Sequence, residues 1–299
     1  METATPATLI IGSDSVVGGA LLKFMKKAGK PAIGTTRRPE QTDESRLYLD
    51  LTDDVVNWPS LSPKSVVVVC AGITRVGACK RDPAGSRRVN VDGMMGLMRK
   101  LLDNGAFVIY LSSDHVFEGS KPYYRDNDLV SPVTEYGKQK AEVEQMLGEW
   151  PDSVTIVRFT KIISPKDILF SGWVDALNVG EPIHPFKDMR MAPVPLSSVV
   201  STLKLLIDQR LRGTFHVSGE QEISYDEAAR LCARVVGSDE SLVEPILSSQ
   251  AGYPERVRAH TTLDMERLKR ALGITPPDVL WTLETAFTNP QALAGESIQ

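Results

Sequence analysis

Cysteine is scarce, positive charge is not in excess, and no apolar run is long. The three cysteines, Cys70, Cys79 and Cys232, have neither an even-numbered framework nor the spacing of a metal site, so a disulfide scaffold and a zinc module are excluded and no metal is expected. Lys plus Arg number 34 against 38 Asp plus Glu, a formal net charge of -4. That balance argues against a general nucleic-acid binder, which needs clustered cations. The basic pairs Arg37-Arg38 and Arg87-Arg88 are small, so any anionic ligand must be held locally. No apolar stretch approaches the roughly 18 residues of a membrane span, and Met1-Glu2-Thr3-Ala4-Thr5-Pro6 lacks the basic start of a secretory signal. A cytoplasmic protein without membrane contact is expected. Internal repeats and low-complexity tracts are also missing.

At 299 residues, 42% hydrophobic and 24% charged, the chain has the composition of an ordinary globular protein with enough length for a large core. The run Ala7-Thr8-Leu9-Ile10-Ile11 reads as a strand. It ends in Gly12-Ser13-Asp14-Ser15-Val16-Val17-Gly18-Gly19, and helical spacing of Leu21, Leu22, Phe24 and Met25 follows. Strand, glycine turn and helix in this order set backbone N–H groups and a helix N-terminus against a pyrophosphate, which makes Gly12, Asp14, Ser15, Val16 and Gly18 candidates for cofactor binding. The competing reading is a turn with no ligand. Ser15 occupies the middle position of a Gly-x-x-Gly-x-x-Gly pattern, where it is expected to crowd the phosphate.

Lys30-Pro31-Ala32-Ile33-Gly34-Thr35-Thr36 reads as the second strand, and Arg37-Arg38 stand at its end where an acid would bind an adenine ribose. Arginine there accommodates a 2′-phosphate, which favours NADP(H) over NAD(H), against the alternative of two surface charges. Leu47-Tyr48-Leu49-Asp50-Leu51-Thr52 reads as a short strand that places Asp50 and Leu51 at an adenine edge. The β-branched run of 64–69 reads as a strand buried on both faces. Its end, Cys70-Ala71-Gly72, is small enough for a flat cofactor to pass, so Ala71 and Gly72 join the cofactor set. A helix is expected over 89–102, with Asn90 capping or bracing a neighbouring strand. The fifth strand, 107–111, leads into Ser112-Ser113-Asp114, and a polar loop of 118–133 precedes a helix carrying Tyr136 and Lys140. A sixth strand spans 153–159. Strands alternating with helices predict a doubly wound parallel α/β sheet.

A phenol and an ammonium four residues apart share a helix face, so Lys140 is expected to pull the Tyr136 pKa down. The pattern also arises by chance on a solvated helix. Beyond Thr160 the character changes. Helices are expected near 171–177, 197–209, 224–236 and 263–272, a strand at 213–219, His216 in the core and a frayed tail over 289–299. The predicted domains are a dinucleotide-binding Rossmann domain, 1–161 plus 190–222, and a small mixed substrate lobe, 162–189 plus 223–288.

Ser112-Ser113-Asp114-His115-Val116-Phe117 and Tyr136-Gly137-Lys138-Gln139-Lys140, at this separation, resemble signatures of the extended short-chain dehydrogenase/reductases, in particular the dTDP-4-dehydrorhamnose reductase type. The resemblance implies that Ser113 polarises a carbonyl, Tyr136 donates the proton, and Lys140 binds the nicotinamide ribose of NADP(H). It also implies substrate contacts at Thr74, Val76, Ser113, His115, Phe117, Lys161, Trp173 and Arg190. His115 stands where the family has tyrosine and Lys161 where it has tryptophan. The lysine either suits an anionic substrate or is an unused charge, and Arg190 either meets a phosphate or forms a surface ion pair.

The function expected is reduction of a keto group on a nucleotide-linked sugar or similar polar small molecule, with a homodimer as the assembly carried forward. Two alternatives stand beside it. One is an epimerase or dehydratase of the same superfamily that retains NAD. The other is a non-catalytic subunit resembling the regulatory subunit of methionine adenosyltransferase.

Overall fold

The fold is taken from a computed structural model that describes residues 7–54, 58, 65–252 and 257–295. Lys64 of the expected fourth strand, residues 1–6 and the last four residues of the expected tail lie outside the described residues. In chain order the main elements are β1 (Thr8–Ile11), α1 (Val16–Lys27), β2 (Ala32–Thr36), β3 (Arg46–Tyr48), β4 (Val66–Val69), α2 (Val76–Arg81) and α3 (Pro83–Arg87). A π-helical stretch, Arg88–Gly93, runs into α4 (Met94–Asp103), followed by β5 (Phe107–Ser113), α5 (Glu135–Leu147), β6 (Val154–Phe159) and β7 (Ile162–Ile163). Then come α6 (Ile168–Asn178), β8 (Arg190–Met191), β9 (Val194–Pro195), α7 (Leu196–Gln209), β10 (Gly213–Val217), β11 (Ile223–Ser224), α8 (Tyr225–Val236), α9 (Glu266–Leu272) and α10 (Val279–Thr288).

The chain divides into two compact units. The first comprises the described parts of 1–117 with 129–158 and 200–215. Its frame is the seven-stranded parallel sheet in the order β10-β6-β5-β4-β1-β2-β3. Strands buried on both faces need apolar residues at consecutive positions, and Ile10, Ile11, Val67, Val68, Val108 and Ile109 are all fully buried. One face packs Leu9, Ile11, Val67, Val69, Val108 and Tyr110 against Met94, Leu97, Met98 and Leu101 of α4 and Val143 and Leu147 of α5. Strand β1 pairs with β2 on one side and β4 on the other, so the sheet winds in opposite directions from the β1–β4 seam. The carboxyl ends of the strands at such a seam form the ligand crevice of this architecture.

The second unit comprises 118–128, 159–199 and the described part of 216–299. Its core joins Phe170, Trp173 and Leu177 of α6, Ala228, Ala229 and Cys232 of α8, and Leu283 and Phe287 of α10. Two short pairings hold it, β7 with β9 in parallel and β8 with β11 antiparallel. These pairings tie 190–195 into this unit beside 223–224, where the sequence pattern assigned 190–222 to the first. The segment 118–128 differs likewise. His260 donates its N–H to the Gly119 carbonyl at 3.0 Å and Asp264 to the Tyr124 carbonyl at 2.9 Å, so the loop belongs with 258–264. The expected frayed tail is in part ordered: Pro290–Ala294 forms a 3-10 turn whose Leu293 is fully buried in the core. Among the described residues no helix is long and apolar enough to cross a membrane.

Candidate active site

The turn after β1 is tight. Gly12 has φ +81, and a Cβ there would meet the Ala71 backbone at 2.7 Å, so a side chain is barred by both conformation and the neighbouring β4 end. Ser15 is the N-cap of α1. Its Oγ accepts from the Gly18 N–H at 3.0 Å and donates to the Gly12 carbonyl at 2.8 Å. Its backbone is extended, φ -74 and ψ 159, which any residue adopts. The hydroxyl is therefore spent inside the turn rather than projected at a phosphate, correcting the expectation that it crowds the ligand. Val16 is exposed at the helix start.

At the end of β2, Thr36 Oγ1 donates to Asp14 Oδ2 at 2.7 Å, and Arg46 Nη1 of β3 lies 3.6 Å from Asp14 Oδ1. Arg37 and Arg38 are both exposed. The Arg38 backbone N–H donates to Thr36 Oγ1 at 3.1 Å, and its guanidinium lies 3.5 Å from Gln41 Oε1. Strand β3 stops at Tyr48, so Asp50 and Leu51 lie in the following turn. Asp50 Oδ1 accepts from both the N–H and the hydroxyl of Thr52 at 2.8 Å, while Leu51 is buried. At the end of β4, Gly72 is exposed with φ +143 and Ala71 is half-buried, leaving backbone open to an approaching ring.

The β5 end and α5 bring the expected triad together. Ser113, Tyr136 and Lys140 are 8%, 7% and 6% exposed, and the Ser113 hydroxyl lies beside the Tyr136 phenol. Ser113 Oγ also donates to Asp114 Oδ1 at 2.9 Å and accepts from the His115 N–H at 3.3 Å. Thr134 caps α5 by accepting from the Gly137 N–H at 3.0 Å, which fixes the first turn that carries Tyr136. A Cβ at Gly137 would collide with the His115 carbonyl, so this glycine lets the helix seat against the end of β5.

Lys140 Nζ donates to the Leu111 carbonyl at 2.7 Å and lies 4.4 Å from the Tyr110 ring centroid, but 6.0 Å from that of Tyr136. Burial pulls the ammonium down to about 8, with Glu144 opposing. Burial likewise pushes the Tyr136 phenol above its ordinary value, against the pull of the Ser113 hydrogen bond. The expected lowering of the phenol by the lysine is not what this arrangement gives, because desolvation of a phenolate outweighs the rest and the ammonium is turned to a carbonyl. A bound ligand that draws Lys140 toward the phenol would change that balance.

Two buried networks hold the triad's elements. Asn90, in the π-helical stretch, accepts from the Ile73 N–H at 2.7 Å and donates to the Ile73 carbonyl at 2.9 Å and to Gln139 Oε1 at 2.8 Å. It thus braces the segment after β4 against α5, one residue from Lys140. Gln139 is 1% exposed and donates onward to Ser86 Oγ. On the other side Arg158 of β6 is paired in a buried fork with Glu144, Nη2 to Oε2 at 2.6 Å, and its guanidinium sits 5.0 Å from the Phe117 ring centroid. Phe117 is only 1% exposed, so it packs behind the site instead of lining it. Gln139 and Glu144 carry no sequence signal beyond being polar residues at positions whose spacing turns them inward.

His115 is half-buried, 5.6 Å edge-on to the Tyr136 ring. Thr74 is exposed and Val76 begins α2. In the second unit, Lys161 Nζ is paired with Asp167 Oδ2 at 3.0 Å and stands 5.9 Å from the Phe170 ring. The acid explains the lysine without a ligand. Trp173 is buried in the second core, between Phe170 and Tyr225, a packing role in place of the expected substrate contact. Arg190 is exposed on β8, near Glu227, whose carboxylate is lowered chiefly by the Ser224 backbone hydrogen bond.

The first unit fits a dinucleotide in its donor chemistry. The turn at Gly12 has no room for side chains, a helix N-terminus faces outward from it, and a hydroxyl, a phenol and an ammonium meet at a strand end. Ser112 adds a buried hydroxyl without a hydrogen-bond partner, which sequence reading passed over in favour of its neighbour. An orphaned donor at such a strand end is what a ligand hydroxyl or amide would satisfy. Among the described residues no cluster of three His, Cys, Asp or Glu is placed to hold a metal ion.

A family model described as the RmlD substrate binding domain matches residues 7–290. The chain is 26% identical over 293 residues to a Haloferax volcanii protein named "Probable low-salt glycan biosynthesis reductase", covering 94% of this chain and 98% of that one. It is 28% identical over 286 residues to the methionine adenosyltransferase 2 subunit beta of Bos taurus, covering 89% and 82%. Among solved structures, the dTDP-4-dehydrorhamnose reductase of Bacillus anthracis in complex with NADP superposes with a TM-score of 0.82 at 20% identity, covering 95% of this chain and 99% of that one.

Proposed function

Since the chain belongs to the RmlD substrate-binding-domain family, we propose that it is an NADP(H)-dependent reductase of a keto group on a nucleotide-linked sugar. The observation that supports this reading most directly is the complete Ser113, Tyr136 and Lys140 set, all buried where the carboxyl end of β5 meets the start of α5. The names of the Haloferax and Bacillus proteins point the same way.

In this reading Gly12, Ser15, Val16 and Gly18 carry the pyrophosphate against the start of α1, Ala71 and Gly72 pass the nicotinamide side, and Arg37 meets the 2′-phosphate. A reduced nicotinamide, when bound, supplies the hydride to the carbonyl carbon. Ser113 turns its hydroxyl from Asp114 to the carbonyl oxygen. The phenol of Tyr136 gives its proton to that oxygen as negative charge develops there, so the ketone becomes a secondary alcohol and the phenolate recovers a proton from solvent. Lys140 shifts its ammonium from the Leu111 carbonyl toward a ribose hydroxyl, and the positive charge beside the ring then favours the phenolate left behind. Prepositioned donors aimed at a nascent alkoxide are the largest single source of rate in such a step.

The test is oxidation of NADPH by the purified protein in the presence of 4-keto sugar nucleotides. Tyr136→Phe removes the proton donor and is expected to lower kcat by about two to four orders of magnitude, with NADPH affinity retained. The likeness to the bovine subunit favours one competing reading, a partner-binding subunit. Stoichiometric co-purification with a methionine adenosyltransferase, together with no ketone reduction across the sugar-nucleotide panel, would decide for it.

A further inference from the structure

The chain has no acid immediately after β2, yet the fold brings one there. Asp14 comes from the glycine turn, and its Oδ2 accepts from Thr36 Oγ1, the last residue of β2. That strand end is where this architecture reads an adenine ribose: a carboxylate accepts from the 2′-hydroxyl of NADH, whereas a guanidinium pairs with the 2′-phosphate of NADPH. Both groups are present here. Arg46 Nη1 stands 3.6 Å from Asp14 Oδ1, Arg38 is engaged with Gln41, and Arg37 is exposed just beyond Thr36.

We infer that Asp14 is a specificity-determining residue that opposes the 2′-phosphate and admits NADH, and that Arg46 is the positioning residue that moderates this opposition by neutralising it. The inference rests on the dinucleotide reading above. A lone carboxylate beside a dianionic phosphate is repulsive, while the same carboxylate is a good acceptor for a ribose hydroxyl. With Arg46 in place the pair carries no net charge and Arg37 tips the balance to NADPH. Without Arg46 the carboxylate stands uncompensated, so NADPH binding weakens while the 2′-hydroxyl of NADH is still accepted. Asp14 and Arg46 are 21% and 31% exposed at the side chain, so solvent screens the effect to the size of a partly exposed charge interaction.

The experiment is titration of the full chain with NADPH and with NADH, without a sugar substrate, followed by calorimetry or nicotinamide fluorescence. The variants are Asp14→Asn, Arg46→Gln and the double substitution. Asparagine keeps an oxygen for the Thr36 hydroxyl, so the turn retains its tie. Asp14→Asn is expected to raise the ratio Kd(NADH)/Kd(NADPH) by about two- to fivefold, and Arg46→Gln to lower it by a similar factor. The double variant should match Asp14→Asn, because Arg46 acts through Asp14. Both dissociation constants moving together, or an unmoved ratio, overturns the inference and leaves the reductase reading standing. An Arg46→Gln effect that persists undiminished in the Asp14→Asn background overturns the positioning role of Arg46. A wild-type chain that binds neither dinucleotide overturns the dinucleotide reading, and this inference falls with it.

Discussion

Lys140 shows how a single buried charge sets a pH range. Its pKa is pulled down to about 8 by burial, from an ordinary value of about 10.4 in the unfolded chain. Between those values the unfolded chain binds the proton and the folded chain has released it, so stability rises with pH across the window, and the cost of the buried ammonium is fully present below pH 8. Tyr136 acts in the opposite sense: its phenol is raised by burial, so its contribution is present below about pH 10 and is lost at higher pH. The thiols of Cys70, Cys79 and Cys232, raised by burial, lower the stability of any variant alike as pH climbs past their ordinary range, so the Lys140 effect reads as a difference: between about pH 7.5 and about pH 9.5 the denaturation midpoint of wild type is expected to change more favourably than that of Lys140→Met. Chemical denaturation of both proteins at the two pH values reads this directly. Equal changes for the two proteins would mean that burial does not lower the Lys140 pKa. The identity of this lysine and of its partner phenol was legible from their spacing in the chain. The sign of the phenol's shift was not, because spacing reports proximity but not the depth of burial that outweighs it.

Among elements, α5 is held to β6 by a buried fork. Arg158 and Glu144 are 6% and 5% exposed at the side chain, with Nε 3.1 Å from both carboxylate oxygens and Nη2 2.6 Å from one. Breaking such a pair by removing one member leaves an uncompensated buried charge, so Arg158→Met should cost about 3–5 kcal/mol. Replacing both, as Arg158→Met with Glu144→Leu, should recover most of that loss. A double variant no more stable than the single one would show that the pair orders the α5–β6 contact beyond its charge balance. Because the same helix carries Tyr136 and Lys140, the single variant is also expected to loosen the triad. Strand and helix positions followed from period and composition: the valine run of β4 and the core spacing of α4 are unambiguous. The helices Val76–Arg81, Pro83–Arg87 and Val279–Thr288 escaped notice, the first two because each is under two turns long and interrupted by Asp82-Pro83. Phe117 reads in sequence like a pocket aromatic, and only its packing beneath Arg158 shows that it faces inward.

For the whole chain, connectivity decides what can be cut. The first unit is assembled from three stretches, the described parts of 1–117 with 129–158 and 200–215, so its sheet is completed by residues that follow the second unit's segment 159–199. Strand β10 lies beside β6 at the sheet edge, the Thr155 hydroxyl is bonded to the Leu211 carbonyl, and Lys30 Nζ reaches Asp208 Oδ1 at 2.5 Å. The sequence pattern caught the return of β10 to the sheet. It did not reveal that 118–128 joins the second unit, since the partners of that loop at 258–264 are about 140 residues away and neither stretch has a periodic pattern. A chain ending at residue 158 retains the whole triad and the glycine turn, and by a linear reading it is an intact nucleotide-binding domain. By the observed assembly it lacks α7 and β10 and exposes the backbone edge of β6, an invitation to intermolecular pairing. The 1–158 fragment is therefore expected to aggregate or to bind a hydrophobic dye strongly, while the full chain does neither. Size-exclusion chromatography and dye fluorescence on the two proteins check this. A monomeric fragment with cooperative unfolding would show that β6 needs no covering strand, and that α7 and β10 are additions to a sheet already complete.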